Sequence, residues 1–186
     1  MKSGFVRIIA GKWRGRRLKV PHVKALRPTP DSVRETLFNW LAPFIEDAYC
    51  LDAFAGSGAL GFEALSRGAR HVVMIDAALT VVKLLREESQ QLEIPKENIS
   101  IYKAHAPRQL RKPDHLFNIV FLDPPYHAKL LIPCCHYLEE QHFLAKDAHI
   151  YLEAHHIIKD NELPLNWRVL KTKKAGQVTY HLARRE

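Results

Sequence analysis

The apolar positions of this chain change period along its length, and each change predicts a different element. At the start, "RIIAGKWRGRRLKVP" alternates apolar and basic residues around Gly11 and Gly15. A period of two around glycines predicts short twisted strands joined by a turn. "RPTPDSVRETLFNWLAPF" then shifts to a helical period: Val33, Leu37, Trp40, Leu41 and Phe44 fall on one face, while Arg34, Glu35 and Asn39 project elsewhere. Thr29 can cap that helix with Pro30 in its first position, and Ser32 with Glu35 offers an alternative capping box.

From residue 49 onward, short continuous apolar runs alternate with helical patterns. Strands are expected at 49–54, 71–76, 98–104, 117–123 and 149–155. Between them come a helix over 59–68 that Gly68 stops, one over 78–92 with Leu79, Val82, Leu85 and Leu92 inside, a short polar helix near 106–111, and one over 128–143. The last segment, "WRVLKTKKAGQVTYHLARR", reads as two strands joined through Ala175-Gly176. Apolar strands alternating with helices predict an α/β fold: a Rossmann-like, mostly parallel seven-stranded sheet with helices on both faces, closed by a C-terminal antiparallel hairpin. Ligands of such sheets sit at the carboxyl ends of the strands, where strand order reverses.

Composition adds a partner to this picture. At 186 residues, 47% of them hydrophobic, the chain suits one domain with a small appendage. No window approaches 18 uninterrupted apolar residues, and Met1-Lys2-Ser3 leads into basic residues with no apolar signal segment, which argues for a cytoplasmic protein. Cys50, Cys134 and Cys135 make a poor disulfide framework and carry no zinc spacing, so reduced thiols are expected. The net charge of +8 is segregated: residues 1–30 hold nine Lys or Arg and no acid, against 19 basic and 20 acidic side chains in the rest. A local positive field of that density attracts phosphate backbones. The reading is therefore a basic arm over residues 1–26 and a catalytic domain over 27–186, with Arg7, Lys12, Arg14, Arg16 and Arg17 as backbone contacts. Trp13 and Phe5 either stack on bases or pin the arm to the body.

The candidate chemistry gathers at strand ends. "DAFAGSGALG" (52–61) contains Gly56-x-Gly58-x-x-Gly61, the spacing of a dinucleotide loop between a strand and a helix. Asp76 lies 20 residues beyond Gly56, where an acid meets ribose hydroxyls of any adenosine ligand. Asp52 discriminates further. A carboxylate just before the loop repels a pyrophosphate and favours a cation, which points to S-adenosylmethionine, although Asp52 also suits a cap for the loop itself. "DPPY" (123–126) follows an apolar strand; its prolines Pro124 and Pro125 remove two amide donors and leave a rigid turn of acceptors. Such a turn fits an exocyclic amino group of a planar base, with Tyr126 as a stacking face.

The order "DAFAGSGALG … ID … DPPY" resembles class I S-adenosylmethionine-dependent methyltransferases that modify amino groups. More closely, "RIIAGKWRGRRL", "LRPTPDSVRETLFNWL", "LDAFAGSGALGFEALSRGA", "FLDPPY" and "KKAGQVTYHL" resemble the RsmD-type enzymes across nearly the whole chain. That resemblance implies methylation of the 2-amino group of one guanine in 16S ribosomal RNA of the small subunit, with S-adenosylmethionine as cofactor and no metal. It places Asp52, Phe54, Gly56, Ser57 and Gly58 at the cofactor loop, Asp76 and Ala77 at the ribose, and Asp123 to Tyr126 at the target amine. Where that family carries an acid after the third strand, this chain has Ala104-His105-Ala106, so the adenine falls to the His105 imidazole or to backbone amides there, Ala106 included. Arg27, Thr29, Arg34 and Asn39 join the arm as expected substrate contacts.

A guanine 2-amino group is a weak nucleophile, so positioning by Asp123 and the Pro124 carbonyl supplies most of the expected rate, without a strong base. The base must first leave its stack. His155-His156 and Cys134-Cys135-His136 lack metal spacing, and His127 reads first as a helix-start residue. Rival readings are an amino methyltransferase for DNA adenine or protein glutamine, a nicotinamide-dependent oxidoreductase, and a non-catalytic RNA-binding assembly factor. Nothing in the sequence demands more than a monomer.

Overall fold

The structure, a computed structural model, describes residues 4–20, 29–125 and 129–186. A two-stranded hairpin, β1 (Phe5–Arg7) and β2 (Arg17–Lys19), precedes helix α1 (Asp31–Leu41). Then follow β3 (Tyr49–Asp52), α2 (Ala59–Ser66), β4 (His71–Asp76), α3 (Leu79–Gln91), β5 (Ile99–Lys103), β6 (Phe117–Leu122), α4 (Leu131–Glu140), β7 (Leu144–Ala154), β8 (Trp167–Ala175) and β9 (Val178–Arg185). Seven strands form one sheet in the order β5-β4-β3-β6-β7-β9-β8. The first five are parallel, β9 runs antiparallel to β7, and β8 antiparallel to β9. This is the expected α/β architecture, and strand order reverses between β3 and β6.

Side-chain alternation explains the two layers. Cys50, Val72, Met74, Ile119 and Phe121 face one apolar cluster, which α1, α2, α3 and the N-terminal hairpin complete. Their strand neighbours Leu51, Ile75, Val120 and Leu122 face a second cluster, which Cys134, Cys135 and Leu138 of α4 complete. Both faces of the parallel strands are buried, which is why their sequences read as unbroken apolar runs. All three cysteines are buried free thiols.

Several local expectations need correction. Neither proposed cap opens α1. Its N-cap is Pro30 with no side-chain hydrogen bond, and the Pro30 carbonyl accepts from the Val33 and Arg34 amides. Phe44, expected on the inner face of the helix, lies beyond its end, 45% exposed and stacked on His149 at 4.0 Å. Leu79, expected inside, is exposed at the first position of α3, where Val81, Val82 and Leu85 bury instead. Residues 106–109 form turns rather than the expected helix. β7 starts at Leu144, after a short turn from α4, and is longer than expected. Gly68 does stop α2, at φ +103°, and the C-terminal hairpin turns through Gly176 at φ +61°.

Candidate active site

The glycine loop is fixed by hydrogen bonds to the two strands that flank β3. Its Ala53 amide donates to the Phe121 carbonyl of β6 at 3.2 Å, the Ala55 amide to the Ile75 carbonyl of β4 at 2.9 Å, and the Gly56 amide to Asp76 Oδ2 at 3.1 Å. Gly58 sits at φ +74°, and a Cβ there would lie 2.5 Å from the Phe62 ring and 2.6 Å from Leu85. A Cβ on Gly61 would approach the Met74 methyl at 2.4 Å. Gly58 and Gly61 thus let α2 close onto α3 and β4, a packing requirement that stands without any ligand.

Four acids line the carboxyl ends of neighbouring strands. Asp52 ends β3 and is 4% exposed; its Oδ2 accepts the Gly61 amide at 3.1 Å, so it also holds the first turn of α2. Burial pushes its carboxyl up to about 7; the Gly61 and Phe54 amides oppose this, and the Asp76 charge adds to it. Asp76 ends β4, half-buried, with Oδ2 on Gly56 N and Oδ1 accepting from Ala78 N at 2.8 Å. It therefore ties the loop and the start of α3 while keeping free acceptor capacity, since a carboxylate offers about four lone-pair sites.

Asp123 follows β6, half-buried. Burial, then the charges of Glu153 and Asp52, push its carboxyl well above the ordinary range, against a hydrogen bond from the Thr29 side chain. Thr29, expected as a helix cap and substrate contact, is buried, and its side chain hydrogen-bonds Asp123. Glu153, the fourth acid, was not singled out from the sequence. Leu122 pairs with Leu152, so Asp123 and Glu153 are the next residues along adjacent parallel strands. Glu153 is buried and accepts the Tyr151 hydroxyl at 2.9 Å. Its signal was an acid near the end of an apolar strand, but only the sheet order sets that strand beside β6.

Of the remaining candidates, Phe54 is half-buried, Ser57 buried, and Ala77 exposed. His105 is exposed just past β5, its amide donating to Gln109 Oε1 at 3.0 Å, with Ala106 half-buried beside it. The Ala104 amide donates to the Asp76 carbonyl, which keeps this loop next to Asp76. Pro124 is buried and Pro125 exposed. Tyr126, His127 and Arg27 lie outside the described residues. A cleft of about 810 Å³ lined by Tyr49, His71, Tyr102 and His115 opens near the amino ends of the strands and holds none of the four acids.

The arm is latched to the body. Glu63 of α2, with no exposed surface, accepts the Ile9 and Ala10 amides at 2.7 and 3.0 Å and Arg67 Nε at 2.7 Å. Ser66 accepts the Lys12 amide at its carbonyl and the Trp13 amide at Oγ, and a Cβ on Gly11 would overlap the Ser66 carbonyl. Ile8 and Leu18 are fully buried in the core shared with α1. Arg34, expected among the substrate contacts, is fully buried, its Nη2 donating to the Arg7 carbonyl at 2.8 Å and Asp31 Oδ1 at 2.7 Å, with Glu63 at 3.7 Å. Trp13 packs half-buried under Lys12, which pins the arm, whereas Phe5 is 53% exposed. Arg7, Lys12, Arg14, Arg16 and Arg17 remain exposed, as does Asn39. The expected boundary at residue 26 falls outside the described residues.

A glycine loop held by Asp52 and Asp76 thus lies one strand from the Asp123-Pro124 segment that follows β6. The sequence model of the family described as Conserved hypothetical protein 95 matches residues 6–184. The Escherichia coli (strain K12) protein named Ribosomal RNA small subunit methyltransferase D is 47% identical over 99% of this chain and 92% of its own length. The chain belongs to this family. A Haemophilus influenzae protein of the same name is 45% identical over 97% of this chain and 94% of its own. Among solved structures, the putative methyltransferase yhhF from Escherichia coli superposes with a TM-score of 0.88 at 44% identity, covering 98% of this chain and 99% of that one. A more distant fold neighbour, titled a 16S rRNA N2 G1207 methyltransferase of Thermus thermophilus, reaches a TM-score of 0.71 at 18% identity, over all of this chain and 50% of that one.

Proposed function

We propose that this protein transfers a methyl group from S-adenosylmethionine to the exocyclic 2-amino group of one guanine in 16S ribosomal RNA, on the small subunit or its RNA. The observation that carries the reading is the acceptor turn at Asp123-Pro124, set one strand from the buried Asp52 and two from Asp76. Membership of a family whose relatives are named ribosomal RNA small subunit methyltransferase D supports the substrate class.

The residues present suit the cofactor. Asp52 is a buried carboxylate beside a glycine loop with no cationic side chain bonded to it among the described residues. Burial raises its proton affinity, with the Asp76 charge adding to it, and an ammonium or sulfonium group would relieve it. Asp76 would hold the ribose hydroxyls, with the loop amides at Gly56 to Gly58 and the 105–106 backbone around the rest. S-adenosylmethionine, when bound, supplies an electrophilic methyl.

Asp123 and the Pro124 carbonyl accept the two hydrogens of the target amine. That draws the nitrogen lone pair out of conjugation and orients it, an effect realised most fully in the transition state. After transfer the nitrogen carries one proton too many. Asp123, with a raised affinity for a proton, receives it and passes it to solvent. Tyr126 supplies a stacking face for the unstacked base. The exposed cations of the N-terminal hairpin hold the RNA backbone.

The test is methyl transfer from labelled S-adenosylmethionine to three acceptors: small subunits, duplex DNA, and glutamine-containing peptide. Label confined to RNA supports the reading; label in DNA or peptide rejects it.

A further inference from the structure

The N-terminal excess of charge conceals a second basic segment. From Leu163 to Arg185 the chain holds six Lys or Arg and no acid. Three of these cations are committed locally. Arg184 pairs with Asp147 at 3.0 Å, Arg185 with Glu139 at 2.8 Å, and Arg168 Nη1 donates to the Leu165 and Trp167 carbonyls. Lys171, Lys173 and Lys174 remain, all exposed on β8, with no acidic group within 4.0 Å among the described residues. Lys171 lies over the Trp40 ring of α1 at 5.7 Å.

Sheet register fixes where these lysines stand. Lys173 pairs with Tyr180 and Lys174 with Thr179, while Tyr180 pairs with Glu153 and Thr179 with Ala154. They therefore sit at the same end of the sheet as the acids. At about 4.8 Å per strand, the Lys173 backbone lies roughly 10 Å from Glu153 and roughly 15 Å from Asp123. The hairpin tip at Gly176 is open, with nothing within 4 Å of a Cβ there. The Glu139 clamp on Trp167 and Arg185 holds the opposite end of the hairpin. The N-terminal hairpin packs on α2 and α3, towards the other edge of the sheet. The two basic elements thus bracket the acids.

We propose that the β8–β9 hairpin is a second RNA contact, in which Lys171, Lys173 and Lys174 bind backbone phosphates of nucleotides flanking the target base. This rests on the RNA reading above. No acid among the described residues pairs with these lysines, they stand within a few nucleotides' reach of Asp123, and phosphate is the chemistry that complements them. Lysines on an edge strand also discourage strand pairing between proteins, which is the competing role.

The test compares full-length protein with the Lys171→Ala/Lys173→Ala/Lys174→Ala variant on small subunits and on naked 16S RNA, across a salt series. The Lys173→Ala/Lys174→Ala variant leaves the Trp40 contact alone and keeps the test open should the triple variant fold poorly. Expected is a KM for RNA raised roughly tenfold or more near 0.1 M salt, with the log–log salt slope shallower by about two to three for the triple variant. Cofactor affinity, kcat and melting temperature should stay near wild type. Unchanged KM and slope, with increased self-association, would mean edge protection and overturn the proposal. A loss on assembled subunits with unchanged naked-RNA binding would mean a protein contact and overturn it equally. Wild type that labels no RNA would instead reject the function itself.

Discussion

At the scale of single residues, the raised carboxyls make the site's chemistry depend on pH in two separable ways. Asp52 is pushed up to about 7 in the free protein, chiefly by burial. A cationic ligand favours its ionised form, so S-adenosylmethionine should bind more weakly as pH falls through about 7, and Asp52→Asn should flatten that dependence in calorimetric titrations. The same group costs stability. Between the unfolded value of about 4 and the folded value of about 7, the native chain holds a proton that the unfolded chain has lost, so stability falls as pH rises across that window. Asp123 is raised by burial and then by Glu153. Single-turnover methyl transfer should therefore rise with pH as Asp123 ionises, and Glu153→Gln should move that limb to lower pH. A purely structural Glu153 would lower the rate without moving the limb. Asp52, Asp76 and Asp123 were legible in the sequence because an acid at the end of an apolar run is a local feature. Glu153 was not, because its meaning depends on which strand lies beside it.

Elements show the same division between local and non-local information. The parallel strands and the glycine turn follow from apolar runs and loop spacing, and they form where expected. Arg34 is the counterexample: it shares a stripe with Phe38 and Leu41 at i+4 and i+7, a signal that it points inward, yet a lone arginine reads as surface. It is buried because Glu63 and the Arg7 carbonyl close over it, and the docked arm creates that environment. Glu63 joins α1, α2 and the hairpin through four groups. Glu63→Ala leaves the Ile9 and Ala10 amides and Arg67 Nε without their partner and removes the carboxylate beside the buried Arg34, and should cost about 3–5 kcal/mol in denaturant unfolding. Gly58→Ala should be costly as well, because the added methyl meets Phe62 at 2.5 Å in a left-handed conformation. Leu79 fails for a simpler reason: a helix's first residue need not share the face set by its later turns.

On the scale of the whole molecule, charge and core are separately encoded. The arm looks detachable in sequence because its cations are segregated, but Ile8 and Leu18 sit fully buried in the main core. Deleting the hairpin should therefore unsettle the domain and cofactor binding together, whereas Arg14→Ala/Arg16→Ala/Arg17→Ala should weaken RNA binding and reduce its salt slope by up to about three, leaving cofactor affinity near wild type. The sheet order puts all four acids on consecutive strands at the end where order reverses, the geometry on which the proposed amine methylation rests. Its most direct test is the identity of the modified nucleoside. After reaction with S-adenosylmethionine, 16S RNA from small subunits lacking the modification should yield N2-methylguanosine at a single position, and Asp123→Asn should reduce its formation by roughly 10²-fold or more. A different methylated nucleoside, or an undiminished yield with Asp123→Asn, would contradict the account.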